Sequence, residues 1–146
     1  MILLQFDGGA RNNPGICGIG YAIFMFDELI YKDNAIVSDY NTNNFAEYQA
    51  LIYGLRKAKD LNICELHVQG DSKIIIGQVQ GDYKVKCEEL KPLYSAVKDL
   101  EQNFDNISYE HIYRNFNKFT DSLVNEALNN YTGYGKDYKE PEVHFN

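Results

Sequence analysis

The sequence predicts a single α/β domain: a five-stranded mixed sheet, its first three strands antiparallel, with helices packed on its faces. Three observations carry that expectation. The chain has 146 residues, within the roughly 100–200 of one domain. Its 45% hydrophobic and 24% charged residues are an ordinary globular mixture, which excludes a wholly disordered chain. The order of its periodic segments is three strands, helix, strand, helices, strand, helix, and a run of hairpin-linked strands entering a βαβ arrangement gives a mixed sheet.

Ile2–Phe6 is a short apolar run that stops at Asp7. Gly8-Gly9-Ala10-Arg11-Asn12-Asn13-Pro14-Gly15 reads as a shaped turn. Gly18–Phe26 and Glu28–Val37 read as hairpin partners with one face toward water. Asp39 to Asn44 reads as a turn, with Asn44 and Glu47 spaced like a helix cap. Ala46, Ala50, Leu51, Gly54, Leu55 and Ala58 recur at helical spacing, so the helix runs to about Asp60. Cys64–Gln69 is the fourth strand, ending at Gly70-Asp71. Ser72–Gln80 is a short helix broken by Gly81-Asp82-Tyr83. Cys87–Phe104 is a longer helix, with Pro92 tolerable only near its start. Ile107–Tyr113 is the fifth strand and Phe116–Tyr131 the last helix. The domain is expected over residues 1–131, with 132–146 a loose tail.

Composition limits the function classes. No apolar run nears the roughly 20 residues of a membrane span. The start lacks a basic n-region and is too short for a signal peptide, so a cytoplasmic protein with no membrane role is expected. Three widely spaced cysteines, Cys17, Cys64 and Cys87, fit neither a disulfide framework nor a zinc site. The net charge is −7, whereas nucleic-acid binders are usually basic. Any nucleic-acid function therefore rests on local features. A site built from several carboxylates would itself contribute to such a balance.

The acidic residues fall at suggestive places. Asp7 and Asp71 end strands one and four, Glu47 lies in the first turn of the first helix, and Asp121 lies near the start of the last. Each alone reads more readily as a cap or turn residue. If the first and fourth strands are neighbours, Asp7 and Asp71 converge at one edge. Carboxylates so gathered repel unless cations share the space. All-oxygen ligation suits Mg²⁺ or Mn²⁺. A pair of such ions would clamp the attacking water and the leaving oxygen of a phosphodiester.

Four segments carry a resemblance. They are Phe6-Asp7-Gly8-Gly9-Ala10-Arg11-Asn12-Asn13-Pro14-Gly15 with Gly18-Ile19-Gly20-Tyr21-Ala22, then Thr42-Asn43-Asn44-Phe45-Ala46-Glu47-Tyr48-Gln49-Ala50-Leu51. They continue with Gly70-Asp71-Ser72-Lys73, and with His111-Ile112-Tyr113-Arg114-Asn115-Phe116-Asn117-Lys118-Phe119-Thr120-Asp121. In order and spacing, over about residues 2–130, they resemble the four motifs of type 1 ribonuclease H domains, nearest the compact plant- and archaeal-like subgroup. The resemblance implies the ribonuclease H-like fold, with helices on both sheet faces. It implies a metal-dependent endonuclease that hydrolyses the RNA strand of RNA–DNA hybrids with two divalent ions, Mg²⁺ or Mn²⁺. By motif, the catalytic and metal-binding residues are Asp7, Glu47, Asp71 and Asp121.

Substrate contacts follow the same way. Gly8 and Gly9 match backbone that approaches RNA 2′-hydroxyls, the group that distinguishes RNA from DNA. Asn13, Thr42, Asn43 and Asn44 match minor-groove and DNA-phosphate contacts, although Asn43 and Asn44 serve equally as caps. Lys73 meets a phosphate or stays solvated, and Arg114 orients Asp121 or binds phosphate. Asn117 reads as the cap of the last helix. The chain lacks the histidine of the bacterial-type loop before the last aspartate. His111 reads as packed on its strand, His67 as structural, and His144 lies in the tail. The basic protrusion of the bacterial enzymes is absent, with only Tyr83, Lys84 and Lys86 in that region. No obligate protein partner is implied, and a monomer is expected. Two other readings stay open: a non-catalytic nucleic-acid-binding module on the same fold, and a nuclease preferring double-stranded RNA or another structured substrate.

Overall fold

The computed structural model describes residues 1–132. The expected tail and His144 lie outside them. Strands β1 (Ile2–Ala10), β2 (Gly15–Met25) and β3 (Glu28–Asn41) are followed by α1 (Asn43–Asp60), β4 (Glu65–Gly70) and α2 (Lys73–Gln80). Helix α3 (Lys91–Glu101), strand β5 (Asn106–His111) and helix α4 (Lys118–Thr132) complete the fold. The sheet order is β3-β2-β1-β4-β5. The first three strands pair antiparallel with one another, β1 with β2 and β2 with β3, whereas β4 is parallel to both β1 and β5. This is the mixed sheet the element order predicts. No described helix is long and apolar enough to cross a membrane.

Helices cover both faces. Helix α1 lies so close to β1 that a Cβ on Gly8 would sit 2.3 Å from the Ala46 carbonyl oxygen. Helix α4 presses on β2 from the other side, where a Cβ on Gly20 would lie 2.7 Å from Leu123 Cβ. Between α1 and the sheet, Leu4, Phe6, Ile19, Ile23, Leu51, Leu55 and Val68 are fully buried and form the core. The Tyr48 hydroxyl donates to Gln78 Oε1 at 2.6 Å and ties α1 to α2 inside it.

Several element ends differ from expectation, each for a local reason. Strand β1 does not stop at Phe6: Gly8, Gly9 and Ala10 still pair with Ile19, Gly18 and Cys17 of β2, because ladder bonds need backbone and not side chains. Strand β3 runs on to Asn41 through register shifts around Cys17, so the first half of the expected turn, Asp39 to Asn41, is strand. The cap of α1 is Thr42, not Asn44, with Thr42 Oγ1 accepting from Phe45 N at 3.2 Å. Glu47 therefore lies in the second turn. Helix α3 begins only at Lys91, after a 3₁₀ turn over Glu88–Leu90, with Pro92 in its first turn.

Candidate active site

Asp7 sits where the sheet divides. The parallel pairing of β1 with β4 ends at Phe6 and Gly70. Beyond that pair β4 turns away into α2, so Asp7 has β2 on one side and open space on the other. Asp71 follows Gly70 directly and projects at the same edge. The close approach of α1 over Gly8 brings Glu47 down on the two aspartates. One carboxylate oxygen from each of Asp7, Glu47 and Asp71 lies within 4.8 Å of the other two. Asp121 stands outside that trio, in the first turn of α4, and lines the same cleft.

The cleft measures about 520 Å³ and is bounded by Asp7, Glu47, Asp71, Ser72, Arg114 and Asp121, and by the Gly8–Arg11 segment. Asn43 and Asn44, and Val124, Asn125 and Leu128 of α4, also line it. Asn13 and Thr42 do not line it. They border an adjoining cleft with Asn41, Asn43, Asn44, Phe45 and Glu89. A chain of bonds fixes that rim: Asn43 N donates to Asn13 Oδ1 at 2.9 Å, and Ala10 N donates to Asn43 Oδ1 at 2.7 Å. Lys73 is exposed at the start of α2 and lines neither cleft.

Burial dominates the electrostatics, and like charges at short range add to it. Burial pushes the Asp7 carboxyl up to about 8, and the charges of Asp71 and Asp121 add to the shift. Glu47 is held well above the usual carboxylate range by burial, then by Asp7 and Asp71. The Gly8 N–H opposes both shifts, and Arg114 opposes that of Glu47. Among the described residues, Glu47 Oε1 is buried with no hydrogen-bond partner. An unpartnered buried carboxylate oxygen is costly, and a cation satisfies it and relieves the mutual repulsion together. An all-oxygen set of this kind fits a hard divalent ion.

Asn117 stands at the cap position of α4, but its side chain serves the site instead of capping the helix. It is fully buried at the start of α4. Its Nδ2 donates to the Phe6 carbonyl at 2.9 Å and to Asp71 Oδ2 at 3.0 Å. Its backbone carbonyl accepts from Asp121 N at 3.1 Å, the first bond of the helix, whereas its side-chain Oδ1, the atom that would cap α4, is buried without a partner among the described residues. One amide thus fixes Asp71 against β1, a link between segments 46 residues apart that spacing along α4 does not disclose. Arg11, Ser72, Asn125 and the apolar α4 wall were likewise not singled out by sequence. His111 packs edge-on against the Tyr113 ring at 5.7 Å and lines neither cleft. His67 contacts Ser108 Oγ at 2.6 Å and Glu110 Oε1 at 2.8 Å, in line with a structural role.

Comparison with known proteins agrees with this geometry. Residues 5–127 match a family described as reverse transcriptase-like. The chain is 36% identical over 128 residues to a bifunctional protein of Mycobacterium tuberculosis, across 87% of this chain and 35% of that protein. It is 33% identical over 123 residues to ribonuclease HI of Halobacterium salinarum, across 84% of this chain and 62% of that protein. The chain therefore spans only part of these curated relatives. Among solved structures, RNase H1 of Halobacterium salinarum superposes with a TM-score of 0.85 at 31% identity, covering 88% of this chain and 98% of that one. LC11-RNase H1, solved in complex with an RNA/DNA hybrid, gives 0.84 at 35% identity, with 89% and 98% covered.

Proposed function

The chain belongs to the type 1 ribonuclease H family, and we propose that it is a metal-dependent endonuclease hydrolysing the RNA strand of RNA–DNA hybrids. One observation carries the reading: Asp7, Glu47 and Asp71 each bring a carboxylate oxygen within 4.8 Å of the other two, and Glu47 Oε1 is buried without a hydrogen-bond partner among the described residues. A passive binding module gains nothing from such a cluster, which repels phosphate.

In this reading Asp7, Glu47, Asp71 and Asp121 hold two Mg²⁺ or Mn²⁺ ions. Such a pair, when bound, activates the attacking water and stabilises the leaving oxygen of the phosphodiester. The chain's own residues supply position. Asp7 is fixed by the rigid centre of the sheet and by the Gly8 N–H, which donates to its Oδ1 at 3.0 Å. Asp71 is held by the Asn117 amide, and Glu47 by the packing of α1 on Gly8. Gly8 and Gly9 present bare backbone beside the carboxylates, where a ribose 2′-hydroxyl can approach without meeting a side chain. Asn43 and Asn44 take the minor groove in this cleft. Asn13 and Thr42 take a phosphate of the DNA strand in the adjoining one. Arg114 balances the negative charge and meets a phosphate near the cut, and Lys73 contributes from the periphery.

Digesting labelled RNA–DNA hybrid, double-stranded RNA, single-stranded RNA and DNA side by side tests the substrate. Cutting confined to the RNA strand of the hybrid is expected. Faster cutting of double-stranded RNA would overturn the hybrid assignment while keeping the nuclease.

A further inference from the structure

Two cations line the acidic cleft, Arg114 and Arg11. Arg114 balances the carboxylates, whereas Arg11 has no part in the site as described so far. Its backbone N–H donates to the Ile16 carbonyl at 2.9 Å and closes the β1–β2 connection. Its Nη2 donates to Asn129 Oδ1 on α4. Its Nε is buried with no acceptor. Among the described residues it has no ion-pair partner. A permanently charged fork is thus anchored at one corner, on the wall of a cleft, with its charge uncommitted to any carboxylate.

We infer that Arg11 binds a backbone phosphate of the RNA strand. The inference rests on the cleft being a hybrid-cleaving site. Three strand residues, Gly8, Gly9 and Ala10, separate Arg11 from Asp7, so the four steps span roughly 13 Å at about 3.3 Å per residue. A nucleic-acid strand rises about 3.4 Å per nucleotide, so the guanidinium reaches a phosphate roughly two to four nucleotides from the bond held at Asp7. Gly8, Gly9 and Ala10 line the wall between them. A strand laid along this wall meets the carboxylates, then bare backbone, then the guanidinium. The planar fork matches two phosphate oxygens at once, and the anchor on Asn129 limits the freedom lost on binding.

Hybrid cleavage at several salt concentrations tests this, with wild type, Arg11→Ala, Arg11→Lys and Asn129→Ala. Loss of one phosphate contact lowers the slope of log KM against log salt by roughly 0.7–0.9. Arg11→Ala is expected to show that loss, with KM at moderate salt up about three- to tenfold and kcat nearly unchanged. Arg11→Lys keeps the slope, and Asn129→Ala keeps it with a smaller change in KM. A neutral methylphosphonate placed singly along the RNA strand raises the wild-type KM at one position and leaves that of Arg11→Ala unmoved. A common fall in kcat and melting temperature for Arg11→Ala and Asn129→Ala, with the salt slope intact, would make Arg11 a mere tether of α4 and overturn the inference. A methylphosphonate effect confined to the DNA strand overturns the strand assignment. Wild type that never cuts hybrid overturns the ribonuclease reading as well, which separates the two failures.

Discussion

The raised Asp7 carboxyl makes a quantitative prediction for the metal-free protein. Its folded value of about 8 lies far above its ordinary 3.8. Between those values the native state keeps a proton that the unfolded chain has lost. Stability from this group is therefore complete below about pH 4 and is lost as pH rises through 8. One proton of difference gives a slope of about −1.4 kcal/mol per pH unit inside that window. Raising the pH from 5 to 7 costs about 3 kcal/mol at this group. In a domain of this size that is about 10 °C in melting temperature. Glu47, shifted in the same direction, steepens the fall. The assay is thermal unfolding in EDTA from pH 5 to 8, wild type beside Asp7→Asn. The difference between the two curves isolates the site from carboxylates elsewhere. Asp7→Asn is expected to melt higher at pH 8 and to show a much flatter pH dependence. Added Mg²⁺ is expected to raise the wild-type melting temperature most at high pH, where the carboxylates are free to bind it. Parallel curves for the two proteins across this range would refute the argument, because they would mean that Asp7 ionises in the fold as it does in water.

Two further substitutions probe how the site is held. Asn117→Ala removes two buried hydrogen bonds and leaves the Phe6 carbonyl and Asp71 without a donor, at about 1–3 kcal/mol. It is expected to raise the Mg²⁺ concentration at half-maximal cleavage, and unchanged metal dependence at reduced stability would make Asn117 purely structural. Gly8→Ala places a Cβ 2.3 Å from the Ala46 carbonyl oxygen, so α1 must retreat from β1. A loss of about 3 kcal/mol by denaturant unfolding is expected, together with weaker metal binding because Glu47 moves with the helix. A stable Gly8→Ala protein with normal metal binding would show that Glu47 does not depend on this contact.

The architecture was legible because its elements differ in period and are separated by clear turn residues. The four carboxylates stood out through the resemblance of their segments to the four motifs, since position at strand ends and helix starts alone reads each as a cap or turn residue. What sequence concealed was mostly backbone and long-range. Gly8-Gly9-Ala10 reads as a turn because its side chains are small, yet it continues the ladder to β2. Asn44 looks like a cap by spacing with Glu47, but the Thr42 hydroxyl takes that role and puts Glu47 a turn deeper and out of water. Asn117 carries no pattern that announces a bond to Asp71. Arg11 reads as a loop residue until α4 is seen to supply Asn129 beside it.

The most direct measurement is cleavage of a labelled RNA–DNA hybrid at low salt with Mg²⁺, Mn²⁺ or EDTA, wild type beside Asp71→Asn. The expected result is metal-dependent cutting of the RNA strand by wild type, none in EDTA, and none by an Asp71→Asn protein that melts at least as high as wild type. Cutting that persists in EDTA, or in the folded Asp71→Asn protein, would contradict a reaction run by metal ions on these carboxylates.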